Sequence, residues 1–289
     1  MKMIRPIVNI SKIIDDYDVV VVGLRGVITD GASVREEVAT ALINMRKIGK
    51  KIILLTNSSE RVSSLVTSLE EKGIPSGVWY SVISAGEIMH YKLKAQKGNF
   101  GIIGHKYYCL GSESGKGVFS GLPQYEEVKN LSQADFLYVS DVKTPDDMIE
   151  SYLPILEHAV SLSLPLVCVG NDASTFMSGQ TCLGVGALAE QYAIIGGRII
   201  TVGKPDSDII AYSLDNFEGI NRNRVLMIGD NLLTDIKGAN FVGIGSALVS
   251  KGVHVNFLGE GYIPDVTKAR ELSVGVEAYP DFIMSSLRW

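Results

Sequence analysis

Residues 227–240 read MIGDNLLTDIKGAN and combine the end of an apolar run with two aspartates. The run 225–228 is typical of a buried strand, and Gly229 ends it. Asp230 follows directly, and Asp235 comes five residues later, where a helix is expected to begin. Two carboxylates on one strand–turn–helix corner predict an oxygen-ligand site for a hard cation such as Mg²⁺. An ordinary surface turn with a capping aspartate is the alternative that this stretch leaves open.

Polar side chains follow further apolar runs of the same kind. After the strand-like run 52–55, Thr56 and Asn57 offer a hydroxyl and an amide beside the N–H groups of a helix start, a setting that can hold a phosphate. In VGKPDSDII, Lys204 adds a cationic donor. Each segment alone also fits ordinary turn chemistry. In this order, at successive strand ends, they predict a ligand-binding edge of an open α/β sheet.

The rest of the chain alternates between strand-like and helical patterns, which predicts an α/β protein with parallel sheets. The interval between Thr56 and Lys204 is too long for one crossover connection, so an inserted domain is expected there. Apolar spacing predicts helices over 34–48, 61–72 and 146–160, and strands at 19–22, 100–103, 136–139 and 166–169.

The order of these motifs resembles the haloacid dehalogenase (HAD) superfamily, and within it the class IIA branch of phosphoglycolate, pyridoxal-phosphate and nitrophenyl-phosphate phosphatases. In that family the first strand ends in Asp-x-Asp-Gly-Val, the second in Thr-Asn, a Gly-Lys-Pro follows, and Gly-Asp-x-x-x-Thr-Asp closes the site. The resemblance covers nearly the whole chain. The matching residues are Gly26-Val27-Ile28 with Gly31, Thr56-Asn57, Gly203-Lys204-Pro205, and Gly229-Asp230 with Thr234-Asp235.

The resemblance implies a HAD-like, doubly wound parallel-sheet core with an inserted α/β cap. The core is expected to comprise residues 1–86 and 199–289, and the cap residues 87–198. In the family this type-2 cap covers the pocket and selects the substrate. Asp172 matches the last Asp of a cap motif that commonly reads Cys-x-Asn-Pro-Asp, so it is a candidate substrate contact. A turn-forming role is the alternative for Asp172.

For the site, the resemblance implies a Mg²⁺ cofactor and a bound phosphate group. The candidate metal ligands are Asp230 and Asp235. The candidate phosphate-binding residues are Thr56, Asn57, Lys204 and Arg25.

The chain departs from the family where the chemistry takes place. Gly23 stands at the position of the nucleophilic Asp, and Arg25 at that of the acid–base Asp. Glycine has no side chain to phosphorylate, and arginine does not give up a proton in a protein. Asp18 lies about 16 Å away at ~3.3 Å per residue of extended strand, and Asp30 lies in the turn beyond the motif. The sequence therefore predicts a protein that is catalytically dead or very weak.

The same two substitutions weaken the expected magnesium site. One carboxylate is gone, and like charges ~4 Å apart repel by roughly 4 kcal/mol at an effective dielectric near 20. Two orientations of Arg25 stay open. In one it points into the pocket, pairs with Asp230 or Asp235 and helps to bind phosphate, for which its planar fork is suited. In the other it points to solvent.

Two functions are consistent with these residues. One is a non-catalytic HAD-like protein that binds a phosphorylated small molecule or a protein partner. The alternative is a functional Mg²⁺-dependent phosphatase of small phosphate monoesters with a rearranged site. The retention of Thr56, Lys204, Asp230 and Asp235 keeps this second hypothesis open.

The composition indicates which partners and which cellular compartment to expect. The chain has 46% hydrophobic and 20% charged residues, ordinary values for a globular protein. A net charge of −5 without a basic cluster argues against a nucleic-acid partner. Three cysteines without metal-ligand spacing fit a reducing compartment. No apolar run reaches the ~18 residues of a membrane span, so a cytoplasmic protein without a membrane contact is expected. A homo-oligomer stays open.

Overall fold

The computed structural model describes residues 3–30, 33–111, 113–142, 144–177, 180–215, 217 and 219–289. Gly31, one of the family matches, lies outside the described residues. Along the described part of the chain the strands are β1 (Arg5–Pro6), β2 (Val19–Gly23), β3 (Lys51–Thr56), β4 (Ser81–Ser84), β5 (Lys106–Leu110), β6 (Glu126–Glu127), β7 (Phe136–Val139), β8 (Leu166–Val169), β9 (Ser174–Met177), β10 (Gln180–Leu183), β11 (Ile199–Val202), β12 (Val225–Gly229), β13 (Gly245–Val249) and β14 (Phe282–Met284). The α-helices are α1 (Glu36–Lys47), α2 (Val62–Glu71), α3 (Ala85–Ala95), α4 (Leu153–Ser161), α5 (Val185–Ile194), α6 (Ser207–Leu214), α7 (Lys237–Val242), α8 (Val255–Leu258) and α9 (Val266–Val276).

Seven parallel strands form the larger sheet, in the order β1-β14-β13-β12-β2-β3-β4. Strands β2 and β12 are buried along their whole length, because helices or turns cover both faces of the sheet. Gly23 pairs with Leu55 and Val22 with Ile228, so the ends of β2, β3 and β12 lie side by side at the centre of one sheet edge. The predicted α/β fold with parallel sheets is confirmed.

Five parallel strands form the second sheet, in the order β11-β8-β7-β5-β6, and β9 and β10 form a separate antiparallel hairpin. Strand β11 begins at residue 199 but pairs with β8. Val202 is thus the last residue of the second sheet along this stretch. The division of the chain into core and cap stays a prediction.

The helical spacing predicted from the first half of the sequence is reproduced closely. Helix α1 buries Val38, Leu42 and Met45 against the sheet, and α2 buries Leu65 and Leu69. These residues recur every three or four positions, as an amphipathic helix requires.

Two predicted elements of the cap differ from the structure. Residues 100–103 were expected to form a strand, but a 3-10 turn occupies Gly98–Gly101, and the strand follows at β5. Gly98 and Gly104 both have positive φ angles, so the chain bends on both sides of the short apolar run. The helix expected over 146–160 begins later, at Leu153, after a 3-10 turn at Ile149–Ser151.

A continuous apolar core joins the two sheets. It runs from β2 and β3 through Met89 and Leu93 of α3 to Phe136 and Val167 of the second sheet. The carboxyl ends of the central strands of both sheets thereby face each other. Among the helices that the structure describes, none combines the length and apolar character needed to cross a bilayer.

Candidate functional site

A cavity of about 70 Å³ lies between the facing carboxyl edges of the two sheets. Because a water molecule needs ~10–15 Å³ of such space, several waters or one small anionic group would fit. The cavity is bordered by every candidate residue with a side chain that the sequence singled out: Arg25, Thr56, Asn57, Asp172, Lys204, Asp230 and Asp235.

Position 23 lies next to Asp235, one of the residues that border the cavity, and contributes no side chain. Strand β2 ends at Gly23, beside the ends of β3 and β12. A Cβ atom built at Gly23 would lie 3.5 Å from Val27 Cγ2 and 3.7 Å from Asp235 Oδ2. These are ordinary contact distances, so a side chain at this position would point next to Asp235 without a steric clash.

Lys204 and Asp235 form a buried ion pair at the centre of the site. The Lys204 Nζ lies 2.6 Å from Asp235 Oδ1 and also donates to the Leu55 carbonyl at 3.2 Å. Their side chains are only 6% and 3% exposed. Burial opposes the charged form of Lys204, but the charges of Asp235 and Asp172 outweigh it and raise the pKa of the ammonium group. Lys204 is therefore held as a cation at the cavity wall.

Asp235 also fixes the backbone that follows β12. Its Oδ2 accepts hydrogen bonds from the N–H groups of Asp230 (3.1 Å) and Asn231 (3.2 Å). Asp235 lies in a π-helical turn, Leu232–Ile236, whose first N–H donates to His254 Nε2 at 3.1 Å. Burial lowers the pKa of His254 to about 4, so this nitrogen stays available as an acceptor.

Asp230 borders the cavity at the end of β12. Its Oδ2 accepts a hydrogen bond from Val253 N at 2.8 Å, and Cβ atoms at Gly26 or Gly252 would collide with its carboxylate. Glycine is thus needed at both positions for the backbone to approach Asp230. Burial, followed by the charge of Asp235, raises the pKa of Asp230 to about 8.

Asn57 holds the backbone of Lys204 in place. Its Oδ1 accepts from Lys204 N at 2.7 Å, and its Nδ2 donates to Lys204 O at 3.0 Å. Thr56 Oγ1 accepts from Ser58 N at 3.1 Å, which leaves the hydroxyl proton free to donate elsewhere. Asn57 therefore acts on the site through Lys204, whereas Thr56 offers a donor of its own.

Asp172 connects the second sheet to the first. Its Oδ2 accepts from Asn57 Nδ2 at 2.8 Å, and its Oδ1 accepts from Asn231 Nδ2 at 2.9 Å and Thr234 Oγ1 at 2.7 Å. Burial raises the pKa of Asp172, and Lys204 opposes the shift. Three donors from the larger sheet converge on one carboxylate, which is more than a turn-forming residue requires. Its role as a substrate contact stays a prediction.

Arg25 borders the cavity and extends towards the hairpin. Its Nη1 donates to Thr175 Oγ1 on β9 at 3.1 Å, and its side chain is half-buried. Burial raises the pKa of Asp141, which follows β7, and the charge of Arg25 opposes that shift. Arg25 thus takes an intermediate orientation between the two that the sequence left open. Asp235 pairs with Lys204, and within the described residues Arg25 forms neither of the two ion pairs, with Asp230 or Asp235, that the sequence left open.

The described residues do not form a ready-made magnesium site. Asp235 uses one oxygen for Lys204 and the other for two backbone N–H groups, and Gly23 supplies no carboxylate. Asp230 is left as one carboxylate that borders the cavity. In the described ranges no group of three or more His, Cys, Asp or Glu side chains is arranged to hold a metal ion. These contacts favour a positioning role for Asp235 over the predicted metal ligation.

Neither neighbouring aspartate replaces the missing nucleophile. Asp18 lies at the opposite end of β2 and forms an exposed ion pair with Arg224, whose Nε is 2.5 Å from Asp18 Oδ2. Asp30 lies in the turn after the first motif, where it accepts a hydrogen bond from Ser33 N at 2.9 Å. Neither is among the residues that border the cavity.

Three residues of the site were not found from the sequence. Asp141 lies two residues after the end of β7, so the strand-end rule that identified Thr56 would also have identified it. Thr175 lies on a short hairpin, 150 residues from Arg25. A threonine in a hairpin does not indicate a binding site from the sequence. His254 carries no strand-end signal in the sequence, and its Nε2 accepts a hydrogen bond from Leu232 N, which is a structural contact.

Comparison with known families identifies both halves of the larger sheet. Residues 20–122 match the family model described as haloacid dehalogenase-like hydrolase, and residues 201–288 match the model described as HAD-hydrolase-like. The comparison with curated proteins found no match.

Solved structures resemble the chain over nearly its full length. A hydrolase of the haloacid dehalogenase-like family from Brucella suis 1330 has 25% identity and a TM-score of 0.80, covering 96% of this chain and 98% of that one. A p-nitrophenyl phosphatase from Archaeoglobus fulgidus has 21% identity and a TM-score of 0.66, covering 94% and 97%. A glycerol phosphate phosphatase from Mycobacterium tuberculosis, solved in complex with magnesium, has 19% identity and a TM-score of 0.60, covering 83% and 69%.

The family matches, the parallel sheets and the spacing of the site residues agree with one another. Phosphatases are among the structural relatives, and one of them was solved with a divalent cation. The chain belongs to the haloacid dehalogenase (HAD) superfamily of hydrolases.

Proposed function

We propose that this protein binds a phosphate-bearing small molecule in the cavity between its two sheets and hydrolyses it very slowly or not at all. The proposal depends on one combination: position 23 has no side chain, but two cationic side chains are retained beside the cavity. Gly23 offers no atom that can accept a phosphoryl group, while Lys204 and Arg25 both border the cavity.

The remaining cavity groups support binding better than catalysis. Among the described residues that border the cavity there is no histidine or cysteine, so no hydroxyl nucleophile has a histidine base beside it. Asp172 is engaged by three donors and Asp235 by Lys204 and two N–H groups. Thr56, Lys204 and Arg25 supply a hydroxyl, an ammonium and a guanidinium, the groups that phosphate oxygens accept from.

The acidic residues of the cavity are compatible with an anionic ligand. Burial raises the pKa of Asp141, Asp172 and Asp230, so burial acts against the charged form of each carboxyl group. An anion would add hydrogen bonds to Lys204 and Arg25 and would compete with Thr175 for the guanidinium. The phosphate group is therefore the part of the ligand that we expect the cavity to recognise.

Binding to inorganic phosphate and to a small phosphate ester tests the proposal by calorimetry. We expect binding without Mg²⁺, unchanged by a chelator, because both cations belong to the protein. Arg25→Ala is expected to weaken binding about ten- to a hundredfold, the loss of one charge-assisted contact worth roughly 1.5–3 kcal/mol. Thr175→Val, which removes the partner of Arg25 but no cation, is the matched control and is expected to retain binding. If the wild-type protein binds no phosphate under any condition, a protein-partner role becomes the better hypothesis.

Hydrolysis tests the second half of the proposal. With p-nitrophenyl phosphate and Mg²⁺, the wild-type protein is expected to release nitrophenol at the background rate, because no side chain at position 23 accepts the phosphoryl group. The competing hypothesis is a Mg²⁺-dependent phosphatase with a rearranged site, supported by the retention of Thr56, Lys204 and Asp230. Turnover above about 1 s⁻¹, the low end of ordinary enzymes, would establish that alternative instead.

A further inference from the structure

A groove separate from the phosphate cavity runs between helices α3 and α6. Its volume is about 550 Å³. One side is the α3 stripe of Ile88, Tyr91 and Ala95, and the other is the α6 stripe of Ile209 and Tyr212. These residues repeat every three or four positions, so each helix presents one continuous face to the groove. The proposed phosphate-binding residues take no part in it.

The groove exposes large side chains that a folded protein ordinarily buries. Tyr91 is 53% exposed and Tyr212 is 50% exposed, one on each helix. Ile102, just beyond the Phe100 that borders the groove, is 71% exposed. Tyrosine is enriched in protein–protein interfaces, where its ring is covered and its hydroxyl reaches the wet rim. These exposed aromatic rings point to a protein surface as the occupant.

The charges on the two sides of the groove are opposite. Lys92 and Lys97 border the α3 side, whereas Asp206 and Asp208 border the α6 side. Asp206 caps α6 by accepting from Asp208 N at 3.0 Å. Within the described part of the chain, none of these four side chains forms an ion pair. All four are exposed, so each can reach a partner.

We propose that this protein forms a two-fold dimer through the groove between α3 and α6, with a second copy of the chain as the occupant. In a two-fold interface, residue i contacts residue j and j contacts i. A rim with lysines on one side and aspartates on the other is complementary to itself when the two-fold axis runs along the groove. The lysines of one copy then meet the aspartates of its partner along both sides of a shared aromatic centre. An unrelated partner would require no such self-complementarity.

Charge reversal with mixing tests this dimer by sedimentation across a dilution series. The wild-type protein is expected to dimerise. Lys92→Glu with Lys97→Glu gives the first variant an acidic rim on both sides. Asp206→Asn with Asp208→Lys makes the second predominantly basic and keeps a residue suited to capping α6. Each variant alone is expected to dimerise at least about tenfold more weakly, because like charges now meet.

The mixture of the two variants distinguishes a specific interface from general charge effects. A one-to-one mixture is expected to restore a dimer that contains one copy of each variant, because the acidic rims meet the basic ones. Lys47→Glu with Lys94→Glu, which changes the charge equally at exposed positions outside the groove, is expected to dimerise like the wild type. Circular dichroism checks that every variant is folded.

Three results would overturn the proposal. They are a wild-type protein that stays monomeric at all concentrations, reversal variants that dimerise normally, and a mixture that stays monomeric although both variants are folded. If the groove binds a different protein instead of a second copy, the wild-type protein alone stays monomeric, which is the first of these results. Phosphate binding is measured separately, so failure of the dimer leaves the proposed function untouched.

Discussion

Replacing Gly23 and Arg25 together by aspartate is expected to raise Mg²⁺-dependent hydrolysis of p-nitrophenyl phosphate at least about a hundredfold above the wild-type background. One change supplies a nucleophile, and the other supplies a general acid, a contribution typically worth 10²–10⁴-fold by itself. In a serine protease, removal of the nucleophile cost on the order of 10⁶ in rate, so the full deficit here is large. The gain is expected to be partial, since Arg25→Asp also removes the hydrogen bond to Thr175.

The structure favours accommodation of the new carboxylate. A Cβ atom at Gly23 would meet nothing closer than 3.5 Å, so the substitution needs no backbone shift. The aspartate would lie beside Asp235 and near the end of β12, where Asp230 borders the same cavity. Two carboxylates near a phosphate are a donor set that suits Mg²⁺. Calorimetry with Mg²⁺ alone is expected to detect binding to the double variant and little to the wild type.

A matched variant separates restored chemistry from altered packing. Gly23→Asn with Arg25→Asn introduces side chains of nearly the same size and removes the same guanidinium, but it supplies no carboxylate. It is expected to remain at the background rate. If the aspartate variant binds Mg²⁺ and is no faster than the asparagine variant, the scaffold lacks more of the phosphatase machinery than positions 23 and 25.

Lys204→Met is expected to lower the free energy of unfolding by about 3–5 kcal/mol, measured by chemical denaturation. The substitution leaves Asp235 buried, 3% exposed in its side chain, with its cationic partner removed. The Leu55 carbonyl also loses a donor. Methionine has nearly the length of the lysine stem, so the effect reports the charge more than a lost volume.

Two comparisons identify the source of this loss. Lys204→Met combined with Asp235→Asn removes both charges and is expected to recover part of the stability, giving a measurable coupling in a double-mutant cycle. The exposed pair of Arg224 and Asp18 is the matched control, because it is equally close but solvated. Arg224→Met is expected to leave the unfolding free energy almost unchanged. A loss below about 1 kcal/mol for Lys204→Met would contradict the importance of the buried pair.

The positions of the site residues followed from strand ends that the sequence makes visible. Runs such as 225–228 and 52–55 are continuously apolar, and polar residues begin where each run stops. Parallel strands bring those ends to one edge, so Thr56, Lys204 and Asp230 were expected in one place. Their convergence could be predicted without knowing how the side chains are oriented.

Pairing within the site did not follow from sequence position. Arg25 had several acidic candidates nearby, yet its hydrogen bond goes to Thr175 across the joint between the sheets. Lys204 follows a strand of the second sheet and Asp235 one of the larger sheet, and the two side chains pair because both are buried where the sheets meet. The error at 100–103 has a different, local origin. A short apolar run suits a strand or a buried turn equally, and glycines on both sides favoured the turn.

Strand β11 ends at Val202, and Lys204 follows two residues later, held by Asn57 of the larger sheet. The chain thus delivers its buried ammonium group as it returns from the second sheet. If the second sheet were exchanged for that of a relative, the backbone that leads from β11 to Lys204 would change. Transplanting that sheet as an independent module would therefore alter the anion pocket itself, so natural variation in the two parts is expected to be coupled.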